Sequence, residues 1–253
     1  MISYIFIHFI ATMAGNSMKR LKSELKLFKD EAECFRDGTF AMHNDSNIKE
    51  AYAMIIGPDD SPYEGGFYFF HVNFKDSYPF DPPHFKSLTQ GGRVRFNPNL
   101  YVEGKVCLSI LGTWQGPEWS PIYNLKTILT AIRGQVLVEN PLVNEPCYNT
   151  YSKTNSECVN YSAIVRNANY KYAIVEMLKG NIPVPDKYKK YYLPLIQKHF
   201  VKNYDKYITT ANKAKKTEHK KSFSCSYSSQ RATPDYDQHL SDMESIYVKL
   251  SIT

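Results

Sequence analysis

The sequence predicts a mixed α/β (α+β) domain: a four-stranded antiparallel meander, preceded by one helix and followed by a long central helix and C-terminal helices. Two patterns predict it. Residues 39–88 are short alternating runs separated by Gly, Pro, Asn and Asp turn chemistry. Beyond residue 120, apolar residues recur at spacings of three and four. At 253 residues the chain can bury one full core and a smaller second one. A hydrophobic fraction of 43% suits a folded domain with polar extensions.

The first helix is expected from a cap at Ser17 to about Glu33, with Leu21, Leu25 and Phe28 on one face and Lys19, Arg20, Lys22 and Lys26 largely off it. Thr39–His43 pairs with Ile48–Ile56 across Asn44-Asp45-Ser46-Asn47. Phe67–Phe74 alternates as a half-buried strand, with His71 a structural sheet residue. Tyr78-Pro79-Phe80-Asp81-Pro82-Pro83 cannot be helical, because its prolines remove donors and fix φ. It reads as a rigid loop before a fourth strand, His84–Leu88.

Residues 91–120 show little periodicity, yet they are rich in aromatic residues and glycine, which marks an ordered functional segment. Trp114 and Trp119 are expected to anchor it. Ser120-Pro121 is expected to start a helix running to about Glu139, with Leu125, Ile128, Leu129, Ile132 and Val136 on its inner face. Further helices are expected at Ser156–Lys179 and Asp186–Lys213. The division expected is a leader at 1–16, a core domain at 17–155, a helical extension at 156–213 and a flexible Lys/Ser-rich tail at 214–253. A short strand near Ile246–Leu250 is a further expectation.

The net charge of +6 is uneven. Residues 186–221 hold eleven lysines against three acids, whereas residues 222–253 are slightly acidic. Such a segment is a solvated helix face or an electrostatic docking surface. It carries no nucleic-acid-binding motif. Cys34, Cys107, Cys147, Cys158 and Cys225 are odd in number and include no CxxC pair. This excludes a disulfide framework and a zinc site and suits a reducing compartment. The apolar run at 1–13 is about half the length of a membrane span and lacks a basic start. It reads as a disordered leader.

Phe96-Asn97-Pro98-Asn99-Leu100-Tyr101-Val102-Glu103-Gly104-Lys105-Val106-Cys107-Leu108 places an amide and a thiol eight residues apart, across a Pro turn and a Gly turn. No histidine lies within ten residues of Cys107, which argues against a cysteine protease. By residue type alone, a buried structural cysteine remains open.

Several landmarks follow one another along the chain: a basic N-terminal helix, Gly57-Pro58 with Ser61-Pro62-Tyr63-Glu64-Gly65-Gly66, Tyr78–Pro83, Asn97-Pro98-Asn99 with Gly104-Lys105-Val106-Cys107-Leu108, and Trp119-Ser120-Pro121. In this order and spacing they resemble the ubiquitin-conjugating enzyme family (UBC fold), over roughly Met18–Leu142. The long loop Gly112–Trp119, the stretch Glu139-Asn140-Pro141 with Asn144-Glu145-Pro146, and the helical extension are most similar to the type Z branch. The family usually has His-Pro-Asn where this chain has Asn97-Pro98-Asn99, and Ser109 stands where many members carry an acid.

The resemblance implies a transferase in which Cys107 carries ubiquitin, or a ubiquitin-like modifier, as a thioester received from an activating enzyme and passed to substrate lysine, alone or with a ligase. Type Z members accept ubiquitin and, in vertebrates, a second tandem modifier, from a dedicated non-classical activating enzyme. Asn99 would stabilise the oxyanion or hold the loop, and Glu145 would orient the incoming amine. Lys19, Arg20 and Lys22 match the face that meets the activating enzyme; Phe80, Pro121 and Ile122 match positions gripped by ligases. No metal, cofactor, nucleic acid or membrane is implied, since ATP is consumed by the activating enzyme, and the setting would be cytoplasmic or nuclear. A non-catalytic ubiquitin-binding scaffold on the same fold is the alternative, disfavoured by the presence of Cys107.

Overall fold

Alternation and turn chemistry produce the expected meander. In the computed structural model, which describes residues 17–91 and 93–252, β1 (Thr39–Asn44), β2 (Asn47–Ile56), β3 (Phe67–Asn73) and β4 (His84–Ser87) pair antiparallel in that order. The register sets Phe40 opposite Met54 and Met54 opposite Phe69. The leader expected at 1–16 lies outside the described residues.

The first helix is shorter than the apolar pattern suggests. It covers residues 17–25 (α1) and ends in a tight turn, Lys26–Phe28. Asp30 then caps a second helix, α2 (Glu31–Asp37), by accepting from the Ala32 and Glu33 amides at 2.9 and 3.1 Å. Ser17 sits inside the helix rather than before it. α1 buries Leu21 and Glu24, with Leu25 only half buried, and the following turn buries Phe28.

β3 is buried on both faces along most of its length, not on one. The cause is α5 (Asp186–Lys202), which lies across the sheet. Its Tyr192 ring meets Phe69 at 5.2 Å, Tyr188 meets Tyr52 at 4.4 Å, and His199 meets Phe67 at 6.0 Å. On the opposite face Tyr68 packs edge-on against Phe96. His71 bonds Glu50 at 2.9 Å and stacks on Tyr52, a sheet residue as expected.

The central helix starts later than Ser120-Pro121. Those residues form a turn, with the Tyr123 amide donating to the Ser120 carbonyl at 2.9 Å. Asn124 is the cap: its side chain accepts from the Thr127 amide, and Thr127 reciprocates, opening α3 (Leu125–Ala131). A wider π turn, Ile132–Val136, continues it.

α4 (Ser156–Ala168) runs into a second π segment, Asn169–Glu176. The next expected helix is two helices: α5 ends at Lys202, and Asn203 separates it from α6 (Tyr204–Glu218). Residues 214–253, expected as a flexible tail, carry the end of α6, a small hairpin of β5 (Phe223–Ser224) and β6 (Arg231–Ala232), and α7 (Tyr236–Ser251). Ile246–Leu250 is therefore helical, not a strand. One buried apolar cluster runs from Leu21 to Met243, joining the meander to these C-terminal helices. No described helix is long and apolar enough to cross a membrane.

Candidate active site

Cys107 lies at the end of a loop cross-linked by its own backbone. The Cys107 amide donates to the Asn99 carbonyl at 2.8 Å, the Tyr101 amide to the Lys105 carbonyl at 2.9 Å, and the Ser87 amide of β4 to the Gly104 carbonyl at 2.8 Å. Gly104 has φ +99°, and a Cβ there would meet the Ser87 carbonyl at 2.8 Å, so the turn requires glycine.

Asn99 completes the frame. It is 8% exposed, and its Nδ2 donates to the Cys107 carbonyl at 2.8 Å. Its Oδ1 is buried with no partner among the described residues. In the free protein this amide holds the loop.

Asn97 is fully buried and fully bonded. Its Nδ2 donates to the Val136 carbonyl at 2.7 Å and the Tyr63 hydroxyl at 2.9 Å. Its Oδ1 accepts from the Asn99 amide at 2.8 Å and from Asn144 Nδ2 at 3.2 Å. The last carbonyls of a helix lack intrahelical donors. At the end of the π turn, Asn97 and Asn144 supply them, so the helix terminus and the Asn97-Pro98-Asn99 turn share one network.

The thiol itself is 1% exposed. Burial raises its pKa above the ordinary cysteine value; Lys105, the Tyr101 hydroxyl and the Arg95 guanidinium pull it down, and Glu103 adds to the rise. No histidine bonds it among the described residues. Thr113 ties down the loop that follows: its Oγ1 accepts from the Leu108 amide at 2.9 Å and donates to the Val106 carbonyl at 2.7 Å. Ser109 opens a tight turn, Ser109–Leu111. Trp119 anchors the long loop as expected, donating to the Pro79 carbonyl at 2.8 Å, whereas Trp114 is 40% exposed.

The other expected site residues divide into three groups. Glu145 is half buried between two tight turns and lies beside Tyr227 of the β5–β6 loop; burial first, and the Glu145 carboxylate second, keep that phenol protonated. Phe80 and Ile122 are 59% and 77% exposed, Pro121 is exposed, and the Trp119–Pro79 bond ties their two loops together. Lys19 and Lys22 are exposed, but Arg20 is turned inward. It pairs with Glu24 and donates to the Tyr123 carbonyl at 2.8 Å.

Glu24 is the residue that periodicity could not reveal. It is 4% exposed and accepts from the Tyr78 hydroxyl at 2.6 Å and the Leu125 amide at 2.9 Å, joining α1 to the start of α3 and to the proline-rich loop. Arg95 and Tyr227 also escaped the sequence reading. A cleft of about 240 Å³ lined by Phe35, Arg133, His199, Lys206 and Tyr207 contains none of the expected site residues.

The family model for ubiquitin-conjugating enzymes matches residues 20–169. Ubiquitin-conjugating enzyme E2 Z of Xenopus tropicalis is 37% identical over 187 residues, covering 72% of this chain and 58% of the relative. The human E2 Z is 36% identical over 187 residues, covering 72% and 51%. The Danio rerio E2 Z is also 36% identical over 187 residues, covering 72% and 55%. The chain thus spans somewhat over half the length of these relatives. The chain belongs to the ubiquitin-conjugating enzyme family.

Proposed function

We propose that this chain is a thioester carrier. The Cys107 thiolate attacks the thioester carbonyl of a loaded activating enzyme, a new C–S bond forms on Cys107, and the activating enzyme's thiolate leaves. A substrate lysine amine then attacks the same carbonyl. It loses a proton, an isopeptide bond forms, and the Cys107 thiolate is released. The observation that carries this reading is the Cys107 loop: a thiol with no strong base paired to it among the described residues, framed by a neutral amide. A carrier needs this, since a strong local base would promote hydrolysis of its cargo, while a thiolate is intrinsically nucleophilic.

In this reading Asn99 turns its Nδ2 from the loop carbonyl toward the developing oxyanion, and Glu145 orients the amine rather than acting as a strong base. Lys19 and Lys22 offer the exposed charges for the activating enzyme, with Arg20 holding the helix that presents them. Phe80, Pro121 and Ile122 form the exposed surface for a ligase. The modifier is ubiquitin or a ubiquitin-like protein. The carrier uses no cofactor of its own, and a reducing cytoplasmic or nuclear setting suits its five free cysteines.

The test is a non-reducing gel after incubation with ATP and a panel of activating enzymes and modifiers, ubiquitin included. A dithiothreitol-sensitive adduct is expected with the wild type and is lost in Cys107→Ala. An adduct that persists in Cys107→Ala, or none with any activating enzyme or modifier, overturns the reading; the second result leaves the scaffold alternative.

A further inference from the structure

Arg95 sits just before the Asn97-Pro98-Asn99 turn, and the fold surrounds it. Its guanidinium carbon lies 4.2 Å from the Tyr101 ring centroid and 5.1 Å from that of Tyr227. Its Nη2 donates to the Pro98 carbonyl at 2.8 Å. Its own carbonyl accepts from the Tyr161 hydroxyl of α4 at 2.8 Å. Its Nε is buried and has no partner among the described residues. One planar cation thus touches the turn that carries Asn99, the tyrosine beside the Cys107 thiol, and a residue from the last forty of the chain.

Tyr227 is itself held. The Ser226 amide donates to Glu157 at 2.9 Å, Asn160 Nδ2 donates to the Ser224 carbonyl at 2.9 Å, and the Cys225 amide donates to the Gln230 carbonyl at 3.1 Å. The Tyr227 ring also meets Tyr148 at 5.9 Å and Tyr161 at 6.2 Å. The β5–β6 loop is therefore pinned to α4 and fixed against the guanidinium.

We propose that Arg95, stacked between Tyr101 and Tyr227, is a positioning residue for transfer from Cys107, and that the β5–β6 loop builds the active site through Tyr227. This rests on the reading of Cys107 as the carrier thiol. Arginine suits the task because its flat, permanently charged fork can stack on aromatic faces and donate in its own plane at once. Lysine offers a point charge that cannot do both. Among the described residues, Lys105, Tyr101, Arg95 and Glu103 are charged or titratable groups that act on the thiol, and Lys105 and Arg95 are the cations among these that favour the thiolate.

The experiment uses the full chain and two readouts. The first is the pH profile of Cys107 alkylation by iodoacetamide, which needs no modifier. Arg95→Met moves the profile to higher pH, and Arg95→Lys moves it back toward wild type. The second is single-turnover discharge of the loaded thioester to free lysine. Arg95→Met and Arg95→Lys both slow it by about tenfold, since misplaced groups cost rate even when charge is kept. Tyr227→Ala slows it too, and Tyr227→Phe recovers most of that loss, because the ring rather than the hydroxyl covers the guanidinium. An alkylation profile unmoved by Arg95→Met, or discharge by Arg95→Lys and Tyr227→Ala at the wild-type rate, overturns the inference. Failure of the wild type to load sinks the carrier reading instead, while the alkylation profile still reports on Arg95.

Discussion

Two asparagines two residues apart divide the work of the Cys107 loop, and they should fail differently. Asn97 bonds four groups in the interior, including a helix-terminal carbonyl. Its replacement by alanine strands the Asn99 amide and leaves the Val136 carbonyl to Asn144 and the Val138 amide, at a cost of roughly 1–3 kcal/mol, read as a lower denaturant midpoint. Asn99 makes one bond through its side chain, to the Cys107 carbonyl. Asn99→Ala should load normally and discharge slowly, by ~10²–10³ if its amide serves the oxyanion. Discharge at the wild-type rate would remove that role. The pair was legible in the sequence only in part. The motif located Asn99 and Cys107, but not why Asn97 serves where a histidine is usual. The reason is a carbonyl 39 residues away, on a π turn that no local pattern encodes.

At the scale of elements, the strands were readable because turn residues and alternation act locally. Helix ends were not. The sequence offered Ser120 as the cap of the central helix, but the side chain that caps it is Asn124, and Asp30 caps a second helix, α2, where one continuous helix was expected. Each candidate had the right chemistry, and the choice between them was made by packing. Glu24 shows how: a carboxylate on the apolar face of α1 would be costly to bury alone, yet it accepts from Arg20, Tyr78 and the Leu125 amide. That last bond fixes the first turn of α3 beyond Ser120-Pro121. Glu24→Ala should therefore cost roughly 2–4 kcal/mol by leaving buried donors unpaired. Asn124→Ala should cost only about 1 kcal/mol, as an ordinary cap does. Thermal melting of the two variants should rank them in that order; equal losses would mean that Glu24 is not the junction.

Across the whole molecule, the C-terminal third was the least legible part. Its lysines and serines read as solvated or unstructured, but one face of its helices carries Tyr188, Tyr192, Phe200, Tyr207, Tyr236 and Met243 into the interior. Two histidines go with them. His199 lies flat on Phe35 with its edge to Phe67 and Tyr207; His239 stacks on Tyr170 and bonds Asn167 at 2.9 Å. Burial lowers the pKa of both from the ordinary 6.5 to about 4. The sign follows from linkage. Between pH 6.5 and 4 the unfolded chain binds protons at these histidines that the folded chain does not, so stability present above pH 6.5 is lost as the pH falls through that window. Each histidine contributes on the order of 2 kcal/mol to the loss. Ordinary carboxylates are mostly ionised above about pH 5, so melting measured from pH 7 down to 5 reads chiefly histidine protonation. The melting temperature should fall steadily over that range. His199→Phe, which keeps the aromatic packing but cannot be protonated, should flatten the fall. A variant that loses stability with acid as steeply as the wild type would show that His199 is already protonated in the folded state, and that α5 does not bury it against the sheet in solution.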